Sequence, residues 1–255
     1  MNNTLFFRLL SVLFFSLMVF IFTTFCAPAW AQTSRAETAK SYLERGQSWL
    51  AKGEFKRAIS DFDLAIATDP SSAQAYFNRG ELRRVTKDFA GAVDDYSKTI
   101  QINPTDAKAW CNRGIVHRHQ GQIEEAIADI THALELNPNF AEAYYYRATS
   151  YCQKQLLEKA IADFDLAIRL RPRFAEAYND RGVTLHRIGK LEAAIVDYNH
   201  TIKLQPEFVK AWMNRGIAYL EAGAMEKAKK DLAEACRLAP EMKATVEQIL
   251  GSHKP

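Results

Sequence analysis

The sequence predicts an all-α chain, a solenoid of six helix pairs with a C-terminal capping helix, and three observations predict it. Of the eight prolines, six fall at Pro70, Pro104, Pro138, Pro172, Pro206 and Pro240, each 34 residues after the last. Counted so that proline is position 32, the repeats begin at Ala39, Ala73, Ala107, Ala141, Ala175 and Val209. Position 8 is small throughout (Gly46, Gly80, Gly114, Ala148, Gly182, Gly216), as is position 20 (Ala58, Ala92, Ala126, Ala160, Ala194, Ala228). Position 4 is always aromatic (Tyr42, Tyr76, Trp110, Tyr144, Tyr178, Trp212), and position 24 is always bulky (Phe62, Tyr96, Ile130, Phe164, Tyr198, Leu232).

Each element follows from that register. Positions 4, 8 and 11 share one face of a first helix, and 20, 24 and 27 share one face of a second. Small residues at 8 and 20 let the two backbones approach, with bulky residues at 4 and 24 filling the space around the contact. Proline at 32 pushes the preceding residue out of the α region and ends the second helix. One hairpin cannot bury its apolar face alone, so successive hairpins stack on a shared core. After the last repeat, Met242, Val246, Ile249 and Leu250 have helical spacing, and Gly251 follows as a stop signal. Residues 241–251 are therefore expected as a capping helix, and 252–255 as a tail.

These residues resemble the tetratricopeptide repeat family over 39–242, with repeats at 39–72, 73–106, 107–140, 141–174, 175–208 and 209–242. The resemblance implies a right-handed superhelical solenoid that binds a protein or extended peptide in a concave groove. It also implies that positions 2, 5, 6, 9 and 12 of the first helices line that groove.

The N-terminus is of a different kind. Arg8 is the only charge among the first 31 residues, an apolar run from Leu9 to Phe25 follows, and Ala29 and Ala31 sit where a signal peptidase requires small residues. Residues 1–31 are expected as a cleaved signal peptide and 32–38 as a flexible lead. An uncleaved anchor is the alternative, since the apolar run nearly spans a bilayer. Either reading exports the remainder, to a periplasm, a thylakoid lumen or the outside. Phe25, bulky, precedes Cys26 where a lipoprotein signal has a small residue.

Composition narrows the function classes. Thirty-three basic and 30 acidic residues leave a formal charge of +3, too balanced for a nucleic-acid partner. Cys26, Cys111, Cys152 and Cys236 follow no metal or redox spacing and read as small buried side chains. No phosphate loop, nucleophile elbow or HExxH pattern occurs, so no enzyme, cofactor or metal is expected. The sequon Asn199-His200-Thr201 falls in the middle of a second helix.

Two charged rows run through all repeats. Position 7 is Arg45, Arg79, Arg113, Arg147, Arg181 and Arg215, where the family usually has leucine. Position 23 is Asp61, Asp95, Asp129, Asp163, Asp197 and Asp231. Members of each pair lie 16 apart, one on each helix, and a guanidinium–carboxylate fork between them sets packing register.

Candidate ligand contacts lie on the groove positions. Position 6 carries Asn78, Asn112 and Asn214, resembling the asparagine ladder in the repeat arm of O-GlcNAc transferase; an amide can satisfy a peptide group as donor and acceptor. Tyr146 and Asp180 break that ladder. Position 5 lacks the lysine that chaperone adaptors of the family use to clamp a C-terminal carboxylate. Arg84, Arg118 and His186 at position 12 form a basic stripe, either completing helix C-termini electrostatically or attracting an acidic peptide. Phe77, Tyr145 and Tyr146 offer aromatic contacts. The expected partner is a protein or peptide of acidic character, with membrane contact only through the leader. Self-association into homo-oligomers is the alternative.

Overall fold

The computed structural model describes residues 29–252; the leader up to residue 28, including Cys26, and the last three residues lie outside it. All described elements are helical. Helix α1 spans Ala29–Ala51, α2 Phe55–Thr68, α3 Ala73–Val85, α4 Phe89–Ile102, α5 Ala107–His119, α6 Ile123–Leu136 and α7 Ala141–Gln153. Then come α8 Leu157–Leu170, α9 Ala175–Arg187, α10 Leu191–Leu204, α11 Val209–Glu221 and α12 Met225–Leu238. A 3-10 turn at Pro240–Met242 leads into α13, Lys243–Ser252. Apart from α1, each first helix starts at position 1 of its repeat, and each second helix runs from position 17 to position 30.

The stops are the sequence's own. Position 31 is extended before every proline, as at Asn103 (φ −128°) and Gln205 (φ −140°), and its N–H closes on the carbonyl of position 27. Asp88 and Asp106 cap α4 and α5 by accepting from Gly91 N–H and from Lys108 and Ala109 N–H. The tight link at position 15 is left-handed in every repeat: glycine four times, Lys87 (φ 65°) and Gln155 (φ 60°) otherwise.

The chain divides into two compact units, one up to Leu82 and one from Arg83 onward. In the first, α1 packs on α2, and Leu82 closes a core of Ala58 and Phe62 with Leu43, Trp49, Leu50 and Ile59 packed against it. In the second, successive helices from α4 to α12 pack on one another. The first helices α5, α7, α9 and α11 also touch one another in succession, forming one wall.

Position 24 fills the core: Phe62, Tyr96, Ile130, Phe164, Tyr198 and Leu232 are all fully buried. The position-4 aromatics are only partly buried, contrary to their expected role as filler around the small-residue contact. Each instead lies under the arginine of its own repeat, with the guanidinium 4.8 to 5.6 Å from the ring centre. Trp110 and Trp212 also donate to the carbonyls of Pro104 and Pro206.

Two terminal expectations are corrected. Residues 32–38 are helical, part of α1; Thr33 to Thr38 are exposed and Ala39 is buried. No glycine or proline interrupts Gln32 to Thr38, and Thr38 Oγ1 donates back to the Ser34 carbonyl. Gly251 does not stop α13, which continues to Ser252; Val246 is buried, with Met242, Ile249 and Leu250 packed against the same core. Among the described residues no helix is long and apolar enough to cross a membrane. Cys111 is buried, Cys152 and Cys236 are partly so, and all three are free thiols.

Candidate binding groove

The arginine row belongs to the scaffold. Arg113 donates from Nε and Nη2 to the two carboxylate oxygens of Asp129, both at 2.8 Å. Arg45–Asp61, Arg147–Asp163, Arg181–Asp197 and Arg215–Asp231 form the same fork. Asp95 accepts from Arg83 Nη1 at 2.9 Å. His117, also at position 11, comes within 3.6 Å of Asp129. A polar residue thus replaces the usual apolar one at position 11 where it can reach the aspartate.

The sequence reading missed the third arm of each arginine. Nη1 reaches back 16 residues to position 25 of the preceding repeat: Arg79 to Asp63, Arg113 to Ser97, Arg147 to Thr131, Arg181 to Asp165 and Arg215 to Asn199. One guanidinium therefore ties three helices. The signal was visible, because position 25 is polar in each of these repeats and becomes Ala233 in the sixth. Within the sequon, Asn199 accepts from Arg215 while Thr201 is fully buried.

The wall of first helices carries a second set of ties, each spanning 35 residues. Tyr145 Oη donates to Asp180 Oδ2 at 2.8 Å, Asn214 Nδ2 to Asn179 Oδ1 at 3.1 Å, and His186 Nε2 meets Glu221 Oε2 at 2.8 Å. Asn179, 3% exposed, passes the chain on by donating to Asp180 Oδ1. Burial, then the Asp180 carboxylate, raises the Tyr145 phenol far above its ordinary pKa. Its ring packs on Phe164, Phe174 and Tyr146.

Of the residues picked out by sequence, Arg84, Asn112, Arg118, Tyr145, Tyr146, His186 and Asn214 share the second unit, all partly buried. Phe77 and Asn78 lie on α3 within the first. Asn78 accepts from Gln74 at 2.8 Å, and its Nδ2 is buried with no hydrogen-bond partner. The basic stripe divides. His186 is engaged by Glu221, whereas Arg84 and Arg118 bear together on His119, whose ring stacks on Phe89. Burial, then the charges of Arg118 and Arg84, hold the His119 imidazole below its ordinary pKa. Arg118 Nε is buried and has no hydrogen-bond partner. No group of three or more His, Cys, Asp or Glu among the described residues is placed to hold a metal.

Stacked hairpins with an arginine tying each to the last, and one wall of first helices left partly open, define a helical-repeat scaffold. Sequence profiles described as Tetratricopeptide repeat match residues 43–107, 107–140, 130–162 and 209–242, and a TPR repeat profile matches 148–189 and 185–223. The chain belongs to the tetratricopeptide repeat family. The solved structure of MamA protein is 28% identical, with TM-score 0.59, over 68% of this chain and 94% of that one. YrrB, solved as a TPR protein with an unusual peptide-binding site, is 22% identical, with TM-score 0.60, over 73% and 96%. PilF of Pseudomonas aeruginosa is 18% identical, with TM-score 0.75, over 87% and 100%. A comparison with curated protein sequences gave no match. The family and fold support a protein-interaction role.

Proposed function

We propose that this chain is an exported scaffold that holds an extended, acidic segment of a partner protein along the wall formed by α5, α7, α9 and α11. It acts by binding and without catalysis, in the assembly or stabilisation of a larger complex. The observation that carries the reading is the contrast within the wall. Its repeat 4–6 side chains are tied to one another, whereas at the end of α5 His119 sits in the field of both Arg118 and Arg84, the latter on α3, and Arg118 Nε is buried with no hydrogen-bond partner. Clustered cations of this kind attract anionic segments over distance and accelerate encounter. YrrB, a TPR protein with an unusual peptide-binding site, supports peptide binding as a use of this fold. Export rests on the apolar leader and its Ala29/Ala31 site.

The test captures partners from the native envelope fraction on full-length chain, on Arg84→Gln/Arg118→Gln, and on a convex-side control, Glu192→Gln. A partner retained by wild type and control, lost from the double variant and increasingly lost as salt rises supports the reading. Equal capture by all three, or a salt-independent partner, refutes it. N-terminal sequencing that finds Met1 on the mature protein refutes export.

A further inference from the structure

The second unit holds a cavity of about 350 Å³ between α9 and α11, lined by Val183, His186, Arg187, Tyr198, Asn214, Ile217 and Glu221. Val183 and Ile217 occupy groove position 9 of successive repeats, so the cavity opens on the wall assigned to the partner. Among its lining residues is Tyr198, a fully buried residue whose hydroxyl is buried with no hydrogen-bond partner. Phe62 and Phe164 fill the same repeat position, equally buried, with no hydroxyl. Hairpin packing therefore does not require an oxygen at residue 198, and a buried hydroxyl without a partner costs stability.

The rim restricts what the hydroxyl can meet. His186 is bonded to Glu221 Oε2, and Arg187 donates to Gln155, so the charges at the mouth are already engaged. An acidic side chain would face Glu221, and a basic one would face Arg187. A neutral side chain with an aliphatic stem, one acceptor and one donor meets every surface. Its stem lies between Val183 and Ile217, its carbonyl accepts from Tyr198 Oη–H, and its N–H₂ donates to the Glu221 carboxylate. Burial, then Asp197, Asp180 and Glu221, raise the pKa of the phenol and keep it a donor.

We propose that this cavity is a specificity subsite that takes the carboxamide side chain of a glutamine or asparagine from the extended partner segment. The inference rests on the groove reading above, so its test must separate the two. Nonapeptides displayed on phage are selected on the full chain, on Tyr198→Phe and on Ile217→Trp, which fills the cavity. Far-UV circular dichroism confirms that each variant is folded, and Phe164 is the internal precedent for the first.

Wild type should enrich glutamine or asparagine at one register position, and Tyr198→Phe should not. A selected peptide should bind Tyr198→Phe about fivefold more weakly, the weight of one neutral hydrogen bond. Changing its glutamine to leucine should cost more than fivefold on wild type, because the bond to Glu221 is lost as well, and should cost about fivefold less on Tyr198→Phe than on wild type. Enrichment of lysine, arginine or acidic residues overturns the carboxamide assignment and leaves the groove reading standing. So does groove-bound peptide indifferent to Tyr198→Phe. Peptides that bind Ile217→Trp as tightly as wild type lie outside this part of the groove and overturn the carboxamide assignment; if they are also indifferent to Arg84→Gln/Arg118→Gln, the groove reading falls with it.

Discussion

Replacing Arg147 by alanine should be among the most damaging single changes to the second unit. The guanidinium forks Asp163 at 2.7 and 2.9 Å, donates to Thr131 Oγ1 at 3.1 Å, and lies 5.6 Å from the centre of the Tyr144 ring. Its side chain is 16% exposed and that of Asp163 only 6%. Burial opposes the charge on Arg147, yet the hydrogen bonds and charge of Asp163 more than offset it and raise the guanidinium pKa. The arginine is thus held where Asp163 needs it. Truncation would strand a buried carboxylate and release the preceding repeat, at a cost of about 3–5 kcal/mol.

Urea unfolding followed by circular dichroism measures the loss, read as a midpoint because repeat arrays depart from two-state behaviour. Arg45→Ala is the internal control. It has the same fork to an equally buried Asp61, but the Arg45 side chain is 53% exposed, so water can take its place beside the carboxylate and its loss should be clearly smaller. A double variant, Arg147→Met/Asp163→Leu, removes both charges and should recover most of the lost stability, because the penalty belongs to the unpaired carboxylate. Equal midpoints for Arg147→Ala and Arg45→Ala, or a double variant no better than the single one, would refute the reasoning.

Other perturbations test other parts of the fold. Gly114→Ala should destabilise by about 1–3 kcal/mol, since overpacking strains a filled core. The new Cβ would meet Ile130 Cγ1 at 2.7 Å and the backbone oxygen of Ala126 at 2.9 Å. At Gly216 the new Cβ would meet only the Leu232 side chain closely, at 2.9 and 3.0 Å, with the Ala228 oxygen 3.5 Å away, so Gly216→Ala should be milder in the same urea assay. Lys87→Gly should raise the urea midpoint, by about 1 kcal/mol, because a left-handed link costs any residue with a Cβ. His119, whose folded pKa is depressed, binds its proton less readily folded than unfolded, so stability should decline as pH falls below about 6.5 and level off beneath the folded value. His119→Asn should flatten that decline, and NMR titration of Arg84→Gln/Arg118→Gln should show the imidazole pKa rising.

The helical hairpins were legible because their signals are local. A proline at position 32 ends a helix wherever the hairpin sits, and Ala58 or Gly114 mark close approach by having nothing to pack. The Arg113–Asp129 fork was legible for a related reason: an unusual charge recurred with a complementary one at fixed spacing. Side-chain choice between competing partners was not legible. Arg83 and His117 looked like parts of a basic surface, yet they turn toward Asp95 and Asp129 because a buried carboxylate takes whichever cation comes within reach. His186 and Asn214 looked available to ligand, yet Glu221 and Asn179 lie one repeat plus one residue away and engage them. The spacing of 35 differs from the repeat by a single residue, too small an offset for repeat-by-repeat comparison to expose.

That offset bears on how the groove works. Ties of 16 residues fix each hairpin on the last, and ties of 35 residues fix neighbouring first helices, so the wall in repeats 4 to 6 is bonded to itself before any partner arrives. A partner bound there, as proposed, would order few side chains and lose little conformational entropy. Tyr145, His186 and Asn214 hold the wall together, so replacing one changes the spacing of neighbouring helices along with any direct contact. Loss of binding in Asn214→Ala alone therefore does not identify a ligand contact. Asn179→Ala, which removes the same tie from its buried side, has to be compared with it: equal losses assign the effect to the wall, and a greater loss at Asn214 assigns it to the partner.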